Sequence, residues 1–289
     1  MYRKIGILCA GDSELAPFLP HLEHARTSEK ALLKFYEGTL CGLPAVLLYS
    51  GVCKVNAAIA AQILIDTYRA DAVINAGTAG GMDPSLKIFD TAVSTAVAYH
   101  DVADDILTDF HPWLESIWFP ADPALRACAE AAAAKQPREY HVRFGRMVTG
   151  EAFITDDGRQ EINARFAPLT VDMESAAVAH VCHANGVPFL AIRTVTDTAD
   201  HSGAGNFELN CERASAIAKD FTLALLREIQ NARAARRDET QKERETALFL
   251  YPYAFYLRRR GADIHYREIC ASGFSSPFGS APRAGIFFL

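Results

Sequence analysis

Residues 171–200 read VDMESAAVAHVCHANGVPFLAIRTVTDTAD, a pattern that predicts a strand, a helix, a second strand and a loop. Acidic residues lie at both junctions, because Asp172 and Glu174 follow the first strand and Asp197 comes at the end of the second. In parallel α/β sheets, ligands bind outside the carboxyl ends of the strands. We therefore expect this one unit to bring acids from two strands into the same crevice.

Composition narrows the class of protein to which the chain can belong. Half of its 289 residues are apolar, which is enough for a sizeable core in one large domain or two small ones. The formal net charge of −6 argues against nucleic-acid binding, which usually needs a basic stripe. Seven scattered cysteines favour a cytoplasmic protein over a secreted disulfide scaffold. No apolar run approaches the ~20 residues of a membrane span, and the N-terminal run is too short for a signal peptide.

Strand and helix patterns alternate along most of the chain. Apolar or alternating runs predict strands at 4–9, 33–39, 45–49, 72–76, 91–99 and 141–149, and helical patterns occur at 13–22, 55–68, 123–135 and 207–228. This order predicts a single-domain α/β fold of three layers, in which helices flank a central mixed, mostly parallel twisted sheet. The glycine-rich stretch 77–81 follows a predicted strand, and two interpretations are about equal: a backbone that approaches a ligand closely, or a tight turn with no ligand. Residues 101–120, which contain both tryptophans, are predicted to be irregular.

Residues 231–289 differ in character from the rest of the chain. They are strongly charged from 232 to 245, then apolar and aromatic from 247 to 257, a run too short to span a membrane. We predict a poorly ordered C-terminal extension of unknown role. The alternative is contact of the aromatic segment with a membrane surface or a partner.

Taken one at a time, the acidic residues at strand ends have ordinary structural explanations. Glu14 could stabilise a first helical turn through the helix dipole, and so could Asp172 and Glu174. Asp197 could cap a turn, with Arg193 as its ion-pair partner. Their convergence favours a functional site, because all four acids and the arginine lie at predicted strand ends.

Three further motifs predict no chemistry of their own. His180 and His183 share a helix face, but two ligands make no zinc site and no carboxylate has the matching spacing, so helix packing is favoured. The glycines at 77–81 lack both the Walker and the dinucleotide spacing. Ser13 does not lie in a Gly-x-Ser-x-Gly elbow, so it is not predicted to be a nucleophile.

Eight short segments occur in an order typical of one enzyme family. They are IGI at 5–7 with Glu14, SGVCKV at 50–55, NAGTAGG at 75–81, YHD at 99–101, GEAFI at 150–154, VDME at 171–174, AHVCH at 179–183 and RTVTDTAD at 193–200. The series resembles the 5′-methylthioadenosine/S-adenosylhomocysteine nucleosidases of the purine nucleoside phosphorylase-like superfamily. The resemblance implies a nucleosidase domain at 1–230 and offers no counterpart for 231–289.

Members of this family hydrolyse the N-glycosidic bond to adenine, which needs a proton on adenine N7 and an attacking water. By resemblance, Asp197 donates the proton, for which its pKa must be raised, and Thr196 lies beside it. Glu14 would activate the water, and Arg193 would help to orient it. No metal or organic cofactor is implied, because proton transfer and attack by water suffice.

The resemblance also assigns the residues that bind the substrate. Glu174 would hold the ribose hydroxyls, and Met173 would line the sugar. Phe153 would stack on the purine, and the backbone of Ile154 would pair with its polar edge. The other residues predicted to line or close the pocket are Val52, Thr78, Gly80 and Phe207. The implied partners are a nucleoside, water and a second copy in a homodimer, with 101–120 as part of that contact.

Some positions depart from the family pattern. Thr78 stands where a serine is common, Asp172 where a glutamate is common, and Gly11 where a larger apolar residue is common. These changes are compatible with the chemistry but could shift specificity. Residues 102–120 match poorly, so the preferred 5′-substituent of the substrate is the least defined part of the resemblance.

A nucleoside phosphorylase is the main alternative activity. Phosphate would need arginine partners, yet Asn75 stands where the phosphorylases have one, and Asp12 and Glu14 add negative charge nearby. Hydrolysis is therefore favoured. Two further alternatives are an aminodeoxyfutalosine hydrolase and a non-catalytic nucleoside-binding protein on the same fold. The joint presence of the four predicted site residues with charged side chains argues against the second.

Overall fold

The structure is a computed structural model that describes residues 2–110, 114–135, 141–155, 157–199 and 204–259. The chain divides into two compact units, Met1–Ala234 and Ala235–Leu289. All strands among the described residues belong to the first unit. In the second unit, residues 235–259 are helical. No helix of the described chain is long and apolar enough to cross a membrane.

In the described residues, ten strands form one sheet. The strands are β1 (Ile5–Cys9), β2 (Glu23–Lys30), β3 (Leu33–Leu40), β4 (Leu43–Tyr49), β5 (Ala72–Gly81), β6 (Thr91–Tyr99), β7 (Phe119–Pro120), β8 (Val142–Thr149), β9 (Thr170–Asp172) and β10 (Phe189–Asp197). The helices are α1 (Asp12–Leu15), α2 (Lys54–Asp66), α3 (Asp104–Asp109), α4 (Pro123–Ala133), α5 (Arg159–Phe166), α6 (Ser175–Ala184) and α7 (Ala204–Arg259), with a 3-10 helix at Ala16–His21.

At β1, the sheet is buried on both of its faces. Successive side chains of a strand point to opposite sides, and neighbouring residues of β1 accordingly lie in two different cores. Ile7 belongs to a core that includes Phe221 and Leu225 of α7. Leu8 belongs to a second core that includes Val178 of α6. The predicted layered α/β fold, with helices on both sides of a central mixed sheet, is confirmed.

Strand β5 pairs with three other strands, which the sequence of β5 alone does not indicate. It pairs in parallel with β1 and β10 and antiparallel with β9. Because β10 also pairs with β6, β6 with β8 and β8 with β9, five strands close into a ring. Outside the ring, β1 continues the sheet through β4, β3 and β2. The carboxyl ends of β1, β5 and β10 therefore lie side by side.

Several elements differ from the sequence predictions. The stretch 77–81 is part of β5 and not a turn, since Gly77 and Gly80 pair with Arg193 and Asp197 of β10. Strand β2 was not predicted, because every one of its residues is exposed and no apolar alternation marks it. Prolines convert most of the predicted helix at 13–22 into the 3-10 helix.

Candidate active site

A cavity of about 350 Å³ opens at the carboxyl ends of β1, β5 and β10. This volume falls in the usual range of small-molecule sites, ~300–1,000 Å³. Eleven of the twelve residues predicted for the site line it, namely Glu14, Val52, Thr78, Gly80, Phe153, Ile154, Met173, Glu174, Thr196, Asp197 and Phe207. The twelfth, Arg193, is fully buried behind the cavity wall.

The Glu14 carboxylate is held by hydrogen-bond donors on both of its oxygens. Oε1 accepts from the backbone N and from Oγ1 of Thr78, at 2.7 and 2.8 Å. Oε2 accepts from the backbone N of Ala10 and Gly11, at 2.7 and 3.2 Å. These four hydrogen bonds fix the orientation of the carboxyl group, since each of its oxygens accepts from two donors.

Gly77 allows Glu14 to lie against β5. A Cβ added to Gly77 would come 2.5 Å from Glu14 Cδ, which is far inside van der Waals contact. The carboxylate therefore occupies the space in which any other residue at position 77 would place a side chain. The glycine-rich stretch serves this close approach, and not the tight turn that was one interpretation of its sequence.

Arg193 is the centre of a buried polar cluster behind the cavity. Its Nε lies 3.1 Å from Asp172 Oδ2. Its Nη2 donates to Asn75 Oδ1 at 2.7 Å and lies 3.4 Å from Glu174 Oε2. A buried guanidinium needs such anionic and amide partners because isolated burial of its charge would be very costly. Arg193 thus fixes one face of Glu174, whose other face lines the cavity.

Asp172 has the structural role that its position before a helix suggested. Its Oδ1 accepts from the backbone N of Glu174 and Ser175, at 3.0 and 2.9 Å, where α6 begins. Burial alone would raise the pKa of Asp172, but the Arg193 guanidinium and the hydroxyls of Ser175 and Thr149 together hold it below its ordinary value. Asp172 therefore stays ionised as the counter-charge of Arg193.

Glu174 connects the wall of the cavity to the loop before α2. Its Oε1 accepts from the backbone N of Cys53 at 3.0 Å. Cys53 has a φ of 84°, in the left-handed region that non-glycine residues rarely adopt. Burial raises the pKa of Glu174 to about 7, although the charge of Arg193 opposes the shift. Near neutral pH, Glu174 can therefore either accept or donate hydrogen bonds at the cavity.

The Asp197 carboxyl group has far fewer partners than that of Glu14. Its Oδ1 accepts from Thr196 Oγ1 at 2.8 Å. Its Oδ2 is buried and has no hydrogen-bond partner among the described residues. Burial raises the pKa of Asp197, and the Thr196 hydrogen bond and the charge of Arg159 oppose this only in part. A carboxyl group of this kind is suited to hold a proton and to pass it to a ligand.

Two aromatic rings form the apolar side of the cavity. Phe153 and Phe207 meet edge to face, with ring centroids 5.9 Å apart and an interplanar angle of 78°. Phe153 remains 43% exposed although it lines the cavity. An exposed ring beside a cavity offers a flat apolar surface on which a planar ligand can stack.

Comparison with known proteins places this geometry in a family. The model of the phosphorylase superfamily matches residues 4–227. The chain belongs to the phosphorylase superfamily. The match runs from β1 into α7 and so includes every residue of the cavity described above.

Within the phosphorylase superfamily, the chain belongs to the 5′-methylthioadenosine/S-adenosylhomocysteine nucleosidase family. The nucleosidase of Actinobacillus succinogenes is 38% identical over 232 residues, which are 78% of this chain and 100% of the relative. The solved nucleosidase of Neisseria meningitidis, in complex with methylthio-immucillin-A, has a TM-score of 0.72 at 31% identity and covers 78% of this chain and 99% of its own. The Colwellia psychrerythraea nucleosidase with adenine has a TM-score of 0.72 at 33% identity, over 79% and 96%.

The structure adds residues that the sequence analysis of this family member missed. Arg159 of α5 is buried, and its Nη2 lies 3.9 Å from Asp197 Oδ2. Nothing local marks it, because α5 reads RQEINARF and resembles an exposed polar helix. Ser175 joins the cluster behind the cavity by donating to Asn75 Oδ1 at 2.9 Å. Its place directly after Glu174 was the only available signal.

The two helical histidines serve in packing, as predicted. The ring of Phe119 stacks on His180 with centroids 4.8 Å apart and meets His183 at 5.7 Å. Among the described residues, no group of three or more His, Cys, Asp or Glu side chains could hold a metal ion.

Proposed function

We propose that the chain hydrolyses the N-glycosidic bond of 5′-methylthioadenosine and S-adenosylhomocysteine, releasing adenine and the thioribose product. One observation carries this proposal. Two carboxyl groups line the same cavity. Glu14 accepts from four donors, whereas Asp197 has a buried oxygen without a hydrogen-bond partner among the described residues. Such a pair separates a base from an acid, which glycosidic hydrolysis requires.

Asp197 is the proton donor in the proposed reaction. Its raised pKa favours the protonated form, and its unpartnered Oδ2 can donate to adenine N7. As the proton moves to N7, the electron pair of the glycosidic bond goes to adenine. The ribose then acquires oxocarbenium character and becomes open to attack by water.

Glu14 is the base that takes the proton of this water. The four donors around it fix the carboxylate, and its side chain lines the cavity in which the water would be bound. Arg193 was predicted to orient the water, but its guanidinium lies behind the wall and contacts Glu174. We therefore assign to Arg193 an indirect role, in which it positions Glu174.

The remaining residues of the cavity bind the nucleoside. Glu174 binds the ribose hydroxyls. With a pKa of about 7, its carboxyl group is partly ionised near neutral pH, and the ionised form accepts hydrogen bonds from these hydroxyls. Phe153 stacks on adenine. Phe207 supports Phe153 by meeting its ring edge to face. The other residues that line the cavity and contact the substrate are Val52, Thr78, Gly80, Ile154, Met173 and Thr196.

Phosphorolysis is disfavoured by the charges around the cavity. Its described lining residues include no arginine or lysine, whereas phosphate binding normally relies on guanidinium groups. Arg193 is committed to Asp172 and Glu174. Asn75, which stands where a phosphorylase would have an arginine, is fully buried and donates to the Leu8 carbonyl oxygen at 2.9 Å.

Three broader assignments belong to the same proposal. Residues 1–230 form the catalytic domain and 231–289 an extension, which agrees with a family match that ends at 227. The enzyme is a homodimer, for which exposed apolar side chains of and beside α2, Val52, Val55 and Ile59, offer a contact surface. We place it in the cytoplasm on the sequence evidence alone.

The test is release of the free base, which is adenine from methylthioadenosine and S-adenosylhomocysteine and hypoxanthine from inosine, each with and without phosphate. We expect adenine from the first two without phosphate, and no reaction with inosine. Asp197→Asn keeps the shape of the side chain but cannot donate a carboxylic proton, so kcat should fall by about 10²–10⁴-fold. Strict dependence on phosphate, or an Asp197→Asn variant with unchanged kcat, would refute the proposed reaction.

A further inference from the structure

Arg159 is a buried cation beside the proton donor that the family motifs do not include. It extends from α5, where its Nη1 donates to the carbonyl oxygen of Gly81 and lies 3.4 Å from Met82 Sδ. Its Nη2 is 3.9 Å from Asp197 Oδ2. Both of these last two atoms are buried, and neither has a hydrogen-bond partner in the part of the chain that the structure describes.

Two unsatisfied buried atoms of opposite character, less than 4 Å apart, require an explanation. Native structures leave few such atoms unpaired, because each costs the full desolvation of its polar group. A protonated Asp197 would need no cation beside it. An ionised Asp197 would need one, and a small movement of either side chain would bring Nη2 into hydrogen-bond contact with Oδ2.

We propose that Arg159 is a positioning residue that pairs with the Asp197 carboxylate at the moment when its proton has passed to adenine. This rests on the proposed function. In that step the Oδ2–H bond of Asp197 breaks, an N7–H bond forms, and the electron pair of the glycosidic bond moves to adenine. The charge left on Oδ2 is then stabilised by Nη2, which in this structure lies 3.9 Å away and makes no hydrogen bond to any described residue.

Among the described groups near Asp197, Arg159 is the one that can stabilise a negative charge on Oδ2. On β5 and β9, a Cβ built on Gly80 would contact both Asp197 Oδ2 and Val171 Cγ1, and neither Gly80 nor Val171 carries a charge. From β10 itself, Thr196 contacts Oδ1 and not Oδ2. The other ionisable groups that line the cavity are Glu14, Asp172, Glu174 and Cys211. None of these is a cation, and Arg193 is engaged by Asp172 and Glu174.

The experiment measures kcat/KM for methylthioadenosine against pH in wild type, Arg159→Gln, Arg159→Lys and Arg165→Gln. Arg165 is the matched control, because it lies on the same helix but is exposed. Loss of the cation favours the protonated carboxyl group, so the alkaline limb should move to higher pH by about one unit in Arg159→Gln. kcat should fall by up to about ten-fold, because a weaker acid transfers its proton more slowly. Arg159→Lys and Arg165→Gln should keep the wild-type limb.

Equilibrium binding of adenine against pH gives a readout without chemistry. Adenine accepts a hydrogen bond at N7 from protonated Asp197, so its affinity should persist to higher pH in Arg159→Gln than in wild type. An alkaline limb and a binding profile that coincide with wild type, even with lower kcat or Tm, would overturn the inference and leave Arg159 a structural residue.

Failure of the proposed function is visible separately, because wild type itself would then release no adenine. If Arg159→Gln is recovered only as insoluble protein, Arg159→Lys decides the matter. Lysine loses the guanidinium contacts that Nη1 makes with Gly81 and Met82 but keeps the charge. A limb in Arg159→Lys that lies at the wild-type pH supports the role of the charge, and a limb displaced by a full unit contradicts it.

Discussion

The two carboxyl groups of the cavity, Glu14 and Asp197, occupy opposite environments. Glu14 accepts four hydrogen bonds, and the lack of a side chain at Gly77 leaves room for its carboxylate. Among the described residues, Asp197 accepts one hydrogen bond, and its second oxygen lies 3.9 Å from Arg159 Nη2 without a hydrogen bond. Both side chains are buried, so burial alone cannot explain how they differ.

The difference lies in where each acid stands relative to the backbone. Glu14 follows β1 in a short helix and reaches across to N–H groups at the adjacent ends of β1 and β5. Asp197 ends β10, and its backbone is used in pairing with Gly80 of β5. No free N–H group is directed at its side chain among the described hydrogen bonds, so only a hydroxyl and a distant guanidinium remain. Among the described residues, backbone N–H groups therefore hold the proposed base, Glu14, whereas no backbone N–H group binds the side chain of the proposed acid, Asp197.

Glu14→Gln should have the largest effect on this comparison. One oxygen becomes an NH₂ group that must face either the backbone N–H groups of Ala10 and Gly11 or the backbone N–H and hydroxyl of Thr78. We expect kcat for adenine release to fall by about 10³-fold, within the usual range for loss of a general base. The free energy of unfolding should also fall, by about 1–3 kcal/mol, because buried donors lose their acceptor.

The control for Glu14→Gln is Asp12→Asn, two residues earlier. Asp12 is exposed, and its carboxylate accepts only from the backbone N of Ser13, at 2.8 Å, among the described bonds. That variant should keep kcat and the denaturant midpoint. If Asp12→Asn lost as much activity as Glu14→Gln, local charge and not the held carboxylate would be the source of the effect.

Gly77→Ala and Gly80→Ala test the same contrast through the backbone. A Cβ at Gly77 would lie 2.5 Å from Glu14 Cδ, whereas a Cβ at Gly80 would lie 3.1 Å from Asp197 Oδ2. The first requires Glu14 to move, and the second requires a shift of only a few tenths of an ångström. We expect kcat to fall by about 10²-fold in Gly77→Ala, as for a catalytic group displaced by ~1 Å, and less in Gly80→Ala.

Gly145→Ala is the steric control for these two variants. Its Cβ would come 2.6 Å from Leu169 Cγ, a clash like that at Gly77 but between residues that do not line the cavity. It should lower Tm while leaving kcat close to wild type. Equal losses of kcat in Gly77→Ala and Gly145→Ala would mean that general loosening of the sheet, and not displacement of Glu14, causes the defect.

The sequence indicated the acids but not their environments. Motif order located Glu14, Glu174 and Asp197, because short segments with a fixed chemistry survive in a recognisable series. Alternating strands and helices likewise predicted the layered sheet. Two of the four hydrogen bonds that distinguish Glu14 come from Thr78, which is 64 residues away in the chain. Such long-range approaches leave no local periodicity.

The sequence did not predict the burial of Arg159 or the ring of five strands, and the reason is again long-range packing. The arginine lies in a polar eight-residue helix, and its burial depends on packing against the end of β5 at Gly81. The ring exists because β10 pairs with β5 on one side and with β6 on the other. Both features arise from pairing between distant segments, and a single sequence records each segment separately.

The smallest expected effect is the change in thermal stability of Asp197→Asn. Glu14→Gln should destabilise the protein, whereas Asp197→Asn should stabilise it relative to wild type as the pH rises. Because the folded protein raises the pKa of Asp197, this carboxyl group contributes stability that is present below its unfolded pKa and is lost as pH rises through the folded pKa. Asparagine does not ionise and avoids that loss. The Tm of Asp197→Asn relative to wild type should therefore increase between pH 4 and pH 8, by about 2–4 °C for each kcal/mol. Thermal unfolding at several pH values measures it, and a relative Tm that fell with rising pH would mean that Arg159 and Thr196 already hold Asp197 as a stable carboxylate.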